Sequence, residues 1–435
     1  MLYQRWVILR SSATPYLATL ITAVIVSALS QYTWQYLWPD FPMPFGQLPG
    51  VWVGFIISAI GFGLWVLYDG GERRSKYLLA FMALLILTWF TAWLLARYHS
   101  DAFTYAFILF PLMLIAIALK PPTARAAYQV IMWTAWFLTI TFVVVLLLER
   151  VGLIAGVDVG EALLSFEKEN YWLPLAGLLG IEGRWAGPLG HNAMTANAAA
   201  MVLIIGVAHK SRGRWFLIAT AVFVLVATAS RTSQIAAVAG IGIMLLTSSW
   251  LSKRRLLRNA AITAIVIAAI TVTLVLVRQS PNLTGRTGMW RYAIATWQER
   301  PLFGVGSSGR LEPGPAGSEA WNMHNLVLEA LLKGGLFMAL MVVAVLLLAM
   351  WIVLRAGPNE FRPLAIGILA TYMVIGLVQS DQWWLELSLP LLWLILAVLL
   401  SSPPKSDQQR DGRPLGEEHQ IVADKDSRVS ERPRE

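Results

Sequence analysis

The chain has no cysteine and few charged residues. Without cysteine it cannot form disulfide bonds, thiolate nucleophiles or Cys-ligated metal sites. Charged residues make up 14% of its 435 residues, whereas a typical soluble domain has about a quarter. Apolar residues take their place: 57% of the chain is hydrophobic, and it contains 20 tryptophans, a residue type that favours the interfaces of a bilayer. This composition excludes an ordinary soluble protein.

Long apolar runs predict the fold. Twelve runs are each long enough to cross about 30 Å of hydrocarbon as a helix. We therefore predict an all-α polytopic membrane protein with about 12 transmembrane helices and a partly helical periplasmic segment between spans 9 and 10. The predicted spans are 15–31, 51–68, 77–95, 102–119, 126–148, 192–208, 214–229, 233–250, 259–277, 335–354, 362–379 and 385–401.

The basic residues predict the orientation. Two thirds of the 34 Lys and Arg residues lie at the N-terminus, in the loops on its side of the membrane or in the C-terminal tail. The positive-inside rule therefore places both termini in the cytoplasm. Residues 1–401 form the predicted membrane domain, and 402–435, which are charged and poor in apolar residues, form a predicted disordered cytoplasmic tail. Because the cations are scattered over short loops, the net charge of +9 does not indicate nucleic-acid binding.

Two longer segments, 149–191 and 278–334, fall on the opposite, periplasmic face of this topology. The second has six basic side chains and four carboxylates, an excess of cations that the positive-inside rule does not expect there. An anionic ligand would account for it. Within this segment, the sequence predicts a short interfacial helix over residues 285–299. Pro301 terminates this helix, and a glycine-rich turn follows.

Arginines on this face are the candidate anion ligands. Arg286 lies in the first turn of the interfacial helix, where the helix dipole disfavours a cation, and this indicates a partner elsewhere. Arg231, in a tight turn between two spans, either snorkels or meets an anion. Arg291 either binds an anion or anchors its helix to lipid phosphates. Arg184 and His191, at the outer mouth of the sixth span, are further candidates.

His324 is the candidate general base. Asn322 is predicted to cap the following helix, which would place His324 in its first turns. The positive end of a helix disfavours imidazolium, so we expect a neutral ring that can accept a proton. The structural alternative is a loop-capping or headgroup-contacting histidine. Glu329 and Lys333, four residues apart, are expected to form a salt bridge.

We predict no metal and no other cofactor. The five histidines fall in different loops on both faces of the membrane. Glu167 and Glu169 are the closest pair of outer carboxylates, but their side chains would diverge on a helix.

The motifs, taken in order, resemble a known family. "GRTGMWRYAIATWQERPLFGVGSSG" followed by "HNLVLEALLKGGL" is similar to the conserved block of the O-antigen ligase and O-antigen polymerase superfamily. "SRTS" after the seventh span and "GHNAMTANAAA" at the start of the sixth are similar to it too. The resemblance implies a C-type membrane glycosyltransferase in a bacterial inner membrane. The essential histidine of the family matches His324, and its essential arginines match Arg231 and Arg286.

The resemblance also implies substrates and chemistry. In the ligases, a polysaccharide carried on undecaprenyl pyrophosphate is joined to lipid A-core on the periplasmic face, by an inverting transfer that needs neither metal nor nucleotide. Polymerases and protein O-oligosaccharyltransferases share the same block and stay open as alternatives, although one dominant outer loop favours a ligase. A transporter of an anionic lipid or sugar is the alternative from another class. It would need polar residues deep within several spans, and these spans have almost none.

Overall fold

The computed structural model describes residues 76–95, 114–151, 185, 187–189, 192–248, 286–305, 324–357, 359–378 and 389–401. This part of the chain is helical and has no strand. Its helices, numbered in chain order, are α1 (Lys76–Leu95), α2 (Ala124–Arg150), α3 (Asn192–Ala208), α4 (Arg214–Ala227), α5 (Arg231–Thr247), α6 (Arg286–Glu299), α7 (Leu326–Arg355), α8 (Arg362–Val378) and α9 (Leu389–Leu400). The predicted spans 15–31, 51–68 and 259–277 and the tail 402–435 lie outside the described residues.

Except for α7, the apolar helices of the described residues coincide with predicted spans, within a few residues at their ends. α2 and α7, with 27 and 30 residues, are long and apolar enough to cross a membrane, and α1, α3, α4, α5, α8 and α9 contain shorter apolar helices. α3 has the predicted bounds of 192–208. Of the predicted span 102–119, residues 114–119 are described, and they are helical.

α7 begins earlier than its predicted span of 335–354 because it has two parts. Gly335 has φ 68° and ψ −166°, a non-helical conformation that divides the helix. The part before it, Leu326–Gly334, is called the half-helix below. The part after it has about 20 residues and is about 30 Å long, the thickness of the hydrocarbon core.

α5 and α8 pack against each other in antiparallel directions. A Cβ atom added to Gly240 would overlap the Thr371 side chain and lie 2.9 Å from the Gly367 carbonyl oxygen. The Thr371 hydroxyl donates to the Ala236 carbonyl at 3.1 Å, which satisfies a buried polar group. Small residues therefore bring these backbones together, as is common between membrane helices.

One end of the helix bundle, called the Tyr128 end, joins the start of α2 to two loops. The Tyr128 hydroxyl lies 2.9 Å from Nδ1 of His209, which follows α3. The Tyr128 ring also stacks on Phe361, just before α8, with 4.8 Å between ring centroids. Burial lowers the pKa of the His209 imidazole, and this favours the neutral ring. By the predicted topology, this end is cytoplasmic.

Candidate active site

His324 lies at the opposite end of the bundle, immediately before α7. Its φ of 48° is in the left-handed region, which few residues other than glycine adopt. The helix cap is Asn325, whose side-chain oxygen accepts from the Leu328 backbone N–H at 3.0 Å. The predicted cap at Asn322 is therefore wrong, and His324 precedes the cap instead of lying in the first turns. The residue is half-buried, and its backbone lies next to the positive end of the helix.

Asn325 also ties His324 to α8. Its Nδ2 donates to the Leu377 carbonyl at 2.8 Å, in the last turn of that helix. The last carbonyls of a helix lack partners within the helix, so this bond satisfies one of them. One side chain thus caps the start of α7 and the end of α8, and it fixes the backbone next to His324.

Arg231 is the exposed first residue of α5. α4 ends at Ala227, so Arg231 follows a turn of three residues, as predicted. Within that turn Ala229 has φ 48°, a second left-handed residue other than glycine.

The packing of α5 on α8 places Arg231 near His324. Ala236 lies opposite Thr371 in the antiparallel pair. Arg231 is five residues before Ala236 and Leu377 is six after Thr371, which correspond to about 8 Å and about 9 Å in the same direction. Arg231 and His324 therefore both flank the C-terminal end of α8.

A buried polar cluster lies behind Arg231. The Ser230 and Ser233 hydroxyls are 2.8 Å apart, and Ser233 donates to Oδ1 of Asn197 on α3 at 2.8 Å. All three residues are at most 9% exposed. Buried polar groups are costly unless hydrogen-bonded, so this cluster fixes the turn that presents Arg231. The cluster was not predicted from the sequence, although its three residues lie in "GHNAMTANAAA" and "SRTS"; the available signal is three small polar residues within or beside apolar runs.

The short helix predicted at 285–299 is confirmed as α6, which begins at Arg286. Ala293 is buried against Leu332 of the half-helix. At 100° per residue, position 286 falls on the same stripe of α6 as Ala293, because the two are seven residues apart. Arg291 is exposed, two residues from Ala293 and so on the opposite side of α6.

The predicted ion pair between Glu329 and Lys333 is confirmed. Lys333 Nζ contacts Oε1 of Glu329, which is only 7% exposed. Among the described residues, the buried second oxygen of this carboxylate has no hydrogen-bond partner. Burial of a charged group costs free energy unless it is paired, so the contact with Lys333 offsets part of the cost of burying Glu329.

Arg184 and His191 lie outside the described residues, but their neighbours are placed. Trp185, next to Arg184, donates its backbone N–H to the Ala227 carbonyl at 3.0 Å, just before the turn that holds Arg231. Asn192, next to His191, begins α3. Trp185 and Asn192 therefore lie at the same end of the bundle as Arg231.

Charge at this end favours an anion. α3, α5 and α6 have no acidic residue in their first turns, and Glu329 in the first turn of α7 is paired with Lys333. Exposed N–H groups and the helix dipole make such a helix start favourable for phosphate, and the Arg231 guanidinium adds a full charge at the start of α5. In the described part of the chain, no group of three or more His, Asp or Glu has the arrangement of a metal site. Glu167 and Glu169 are not among the described residues.

Residues 215–343 match the model of a family described as O-antigen ligase. The matched region runs from α4 into α7 and contains Arg231, Arg286, Arg291 and His324. No curated protein matches the chain. This match covers the residues on which most of the motif resemblance rests, and it supports the O-antigen ligase family assignment that the motifs predicted; proteins of that family are membrane-embedded ligases or polymerases.

Proposed function

We propose that this protein transfers O-antigen polysaccharide from undecaprenyl pyrophosphate to a hydroxyl of lipid A-core oligosaccharide. The reaction takes place on the periplasmic face of the bacterial inner membrane, with both termini in the cytoplasm. The observation that carries the proposal is the antiparallel register of α5 and α8. It brings Arg231 to the end of α8 that Asn325 ties to His324.

The arginines bind the leaving group. As the bond between the anomeric carbon and the pyrophosphate breaks, negative charge grows on the departing oxygen. Arg231 and Arg286 bind the pyrophosphate through charge-assisted hydrogen bonds and stabilise this charge. Arg291 is a further candidate ligand. Arg184 and His191 supply further contacts to the substrates. Because pyrophosphate is already a good leaving group, the reaction needs no metal.

His324 is the base. Its ring nitrogen removes the proton from the acceptor hydroxyl while the oxygen forms a bond to the anomeric carbon. The hydroxyl attacks from the face opposite the pyrophosphate, so the anomeric configuration inverts in one step. The products are the glycosylated lipid A-core, undecaprenyl pyrophosphate and a proton held by His324, which then passes to solvent.

The test is transfer by the purified protein in lipid vesicles. A lipid-pyrophosphate glycan is the donor, and lipid A-core is added or omitted. We expect glycosylated lipid A-core in the first sample and none in the second. A longer lipid-linked glycan formed without acceptor would indicate a polymerase, and movement of the donor across the bilayer without transfer would indicate a transporter. Either outcome would overturn the proposal.

A further inference from the structure

A turn after α6 forms backbone hydrogen bonds with α7 at the kink. This turn, Pro301–Val305, is called the strap below. In an unbroken helix the Leu332 carbonyl would accept from the Leu336 N–H. Here Leu332 accepts from Val305 at 2.9 Å instead, and Leu336 donates to the Pro301 carbonyl at 2.8 Å. The strap therefore replaces the helical hydrogen bonds that the kink removes.

Two glycines make this contact possible. Gly304 and Gly335 have φ 63° and 68°, a conformation that favours glycine. A Cβ atom at Gly304 would lie 2.6 Å from the Gly335 nitrogen, and one at Gly335 would overlap the Leu302 backbone. Both glycines therefore face backbone atoms, which cannot move aside as a flexible side chain can.

The strap also sets the direction of α6. Ala293 packs on Leu332, and Pro301 bonds to Leu336, so residue numbers increase together along α6 and α7. The two helices thus run parallel. Arg286 is seven residues before Ala293 and Leu326 is six before Leu332, or about 10 Å and about 9 Å. The start of α6 therefore lies level with the start of the half-helix.

We propose that Gly304 and Gly335 are positioning residues that clamp α6 to the half-helix and set the distance between Arg286 and His324. This inference rests on the proposed function, in which Arg286 holds the leaving group and His324 holds the acceptor proton. The clamp acts through backbone atoms, and neither glycine touches the reacting groups. The clamp is needed because Arg286 and His324 lie far apart in the sequence, at the starts of two different helices. A misplacement of about 1 Å can cost about 10²-fold in rate.

Alanine at either glycine tests the clamp. We expect Gly304→Ala and Gly335→Ala to lower kcat by about 10²-fold with a change of less than threefold in KM for the donor, because the pyrophosphate ligands remain. Gly357→Ala is the matched control: among the described residues other than its chain neighbours, no atom lies within 4 Å of a Cβ there. It should keep wild-type turnover. Turnover within threefold of wild type in both clamp variants would overturn the inference.

Cross-linking tests the clamp without relying on activity or on stable glycine variants. The chain has no cysteine, so Ala293→Cys with Leu332→Cys introduces the only thiols. A short thiosulfonate cross-linker should join them quickly in the wild-type background and at least tenfold more slowly with Gly304→Ala. The joined protein should keep turnover within twofold of the reduced protein. Failure to join the thiols, or inactivation on joining, would overturn the clamp even if His324 proves to be the base.

Discussion

His324 is the residue on which the proposed chemistry depends. It has a left-handed backbone beside a capped helix, a strained conformation of the kind that clusters at functional sites. His324→Ala should lower turnover by about 10²–10⁴-fold, the usual contribution of a general base. Membrane insertion and donor binding should change little, because the Asn325 cap is retained. Steady-state transfer in vesicles measures the effect.

His209 provides the matched control for that variant. It lies at the Tyr128 end, where its Nε2 is 2.5 Å from the Ser211 hydroxyl. His209→Gln should keep the transfer rate, since this ring is at the other end of the bundle. If His324→Ala retains turnover within threefold of wild type, the base assignment is wrong.

Lysine should not replace Arg231 or Arg286 without loss of activity. A guanidinium binds two phosphate oxygens through a planar fork, whereas an ammonium is a point charge. Arg231→Lys and Arg286→Lys should each lower turnover by about 10–10²-fold and weaken binding of the lipid-pyrophosphate donor. Arg300→Lys, at an exposed position after α6, is the control and should be neutral. Full activity in both lysine variants would show that these arginines only snorkel.

The sequence alone could not show which asparagine caps α7. Asn322 and Asn325 both precede the same apolar run, and either could cap a helix. What distinguishes Asn325 is its bond to Leu377, 52 positions away, and no local pattern contains that contact. The same limit applies to Ser233, whose bond to Asn197 joins two helices.

At the scale of elements, the close packing of α5 on α8 is testable. Gly240→Leu would drive a side chain into Thr371 and the Gly367 backbone, so α5 must move. We expect a loss of about 1–3 kcal/mol in stability. Gly357→Leu, where a Cβ meets nothing, should have little effect. Thermal unfolding in detergent compares the two, and equal midpoints would contradict the packing.

Hydrophobicity locates helices well where the apolar run is uninterrupted. α3 matches its prediction because Asn192 and the polar loop after Ala208 mark both ends. α7 extends beyond its predicted span, because Glu329, Lys333 and two glycines lower the hydropathy of the part before Gly335. The half-helix forms because Asn325 caps it and because Leu332 packs on α6. These tertiary contacts have no periodic signal.

At the scale of the whole molecule, the two ends of the bundle differ in the environment of their cations. At the cytoplasmic end of the predicted topology, Arg214 lies over the Trp215 ring at 4.6 Å and Arg355 over Trp351 at 4.0 Å. Arginine and tryptophan together suit a membrane interface. At the other end, Arg231 is exposed at a helix start, where the dipole opposes it. Only the second arrangement favours binding a further anion, and this supports a substrate site at the His324 end.

Transfer should therefore be independent of divalent metal. In the proposed mechanism, the cations of segment 278–334 and Arg231 supply the positive charge that pyrophosphate needs, and the predicted topology leaves few outer carboxylates close enough in sequence to share a metal. Activity should survive EDTA, and a double variant with Glu167→Gln and Glu169→Gln should stay active. The in vitro assay with purified donor and acceptor measures both, and Mg²⁺ or Mn²⁺ added after EDTA should give no increase. If EDTA abolishes transfer and either ion restores it, the arginines do not act alone, and Glu167 and Glu169 become the first candidate ligands.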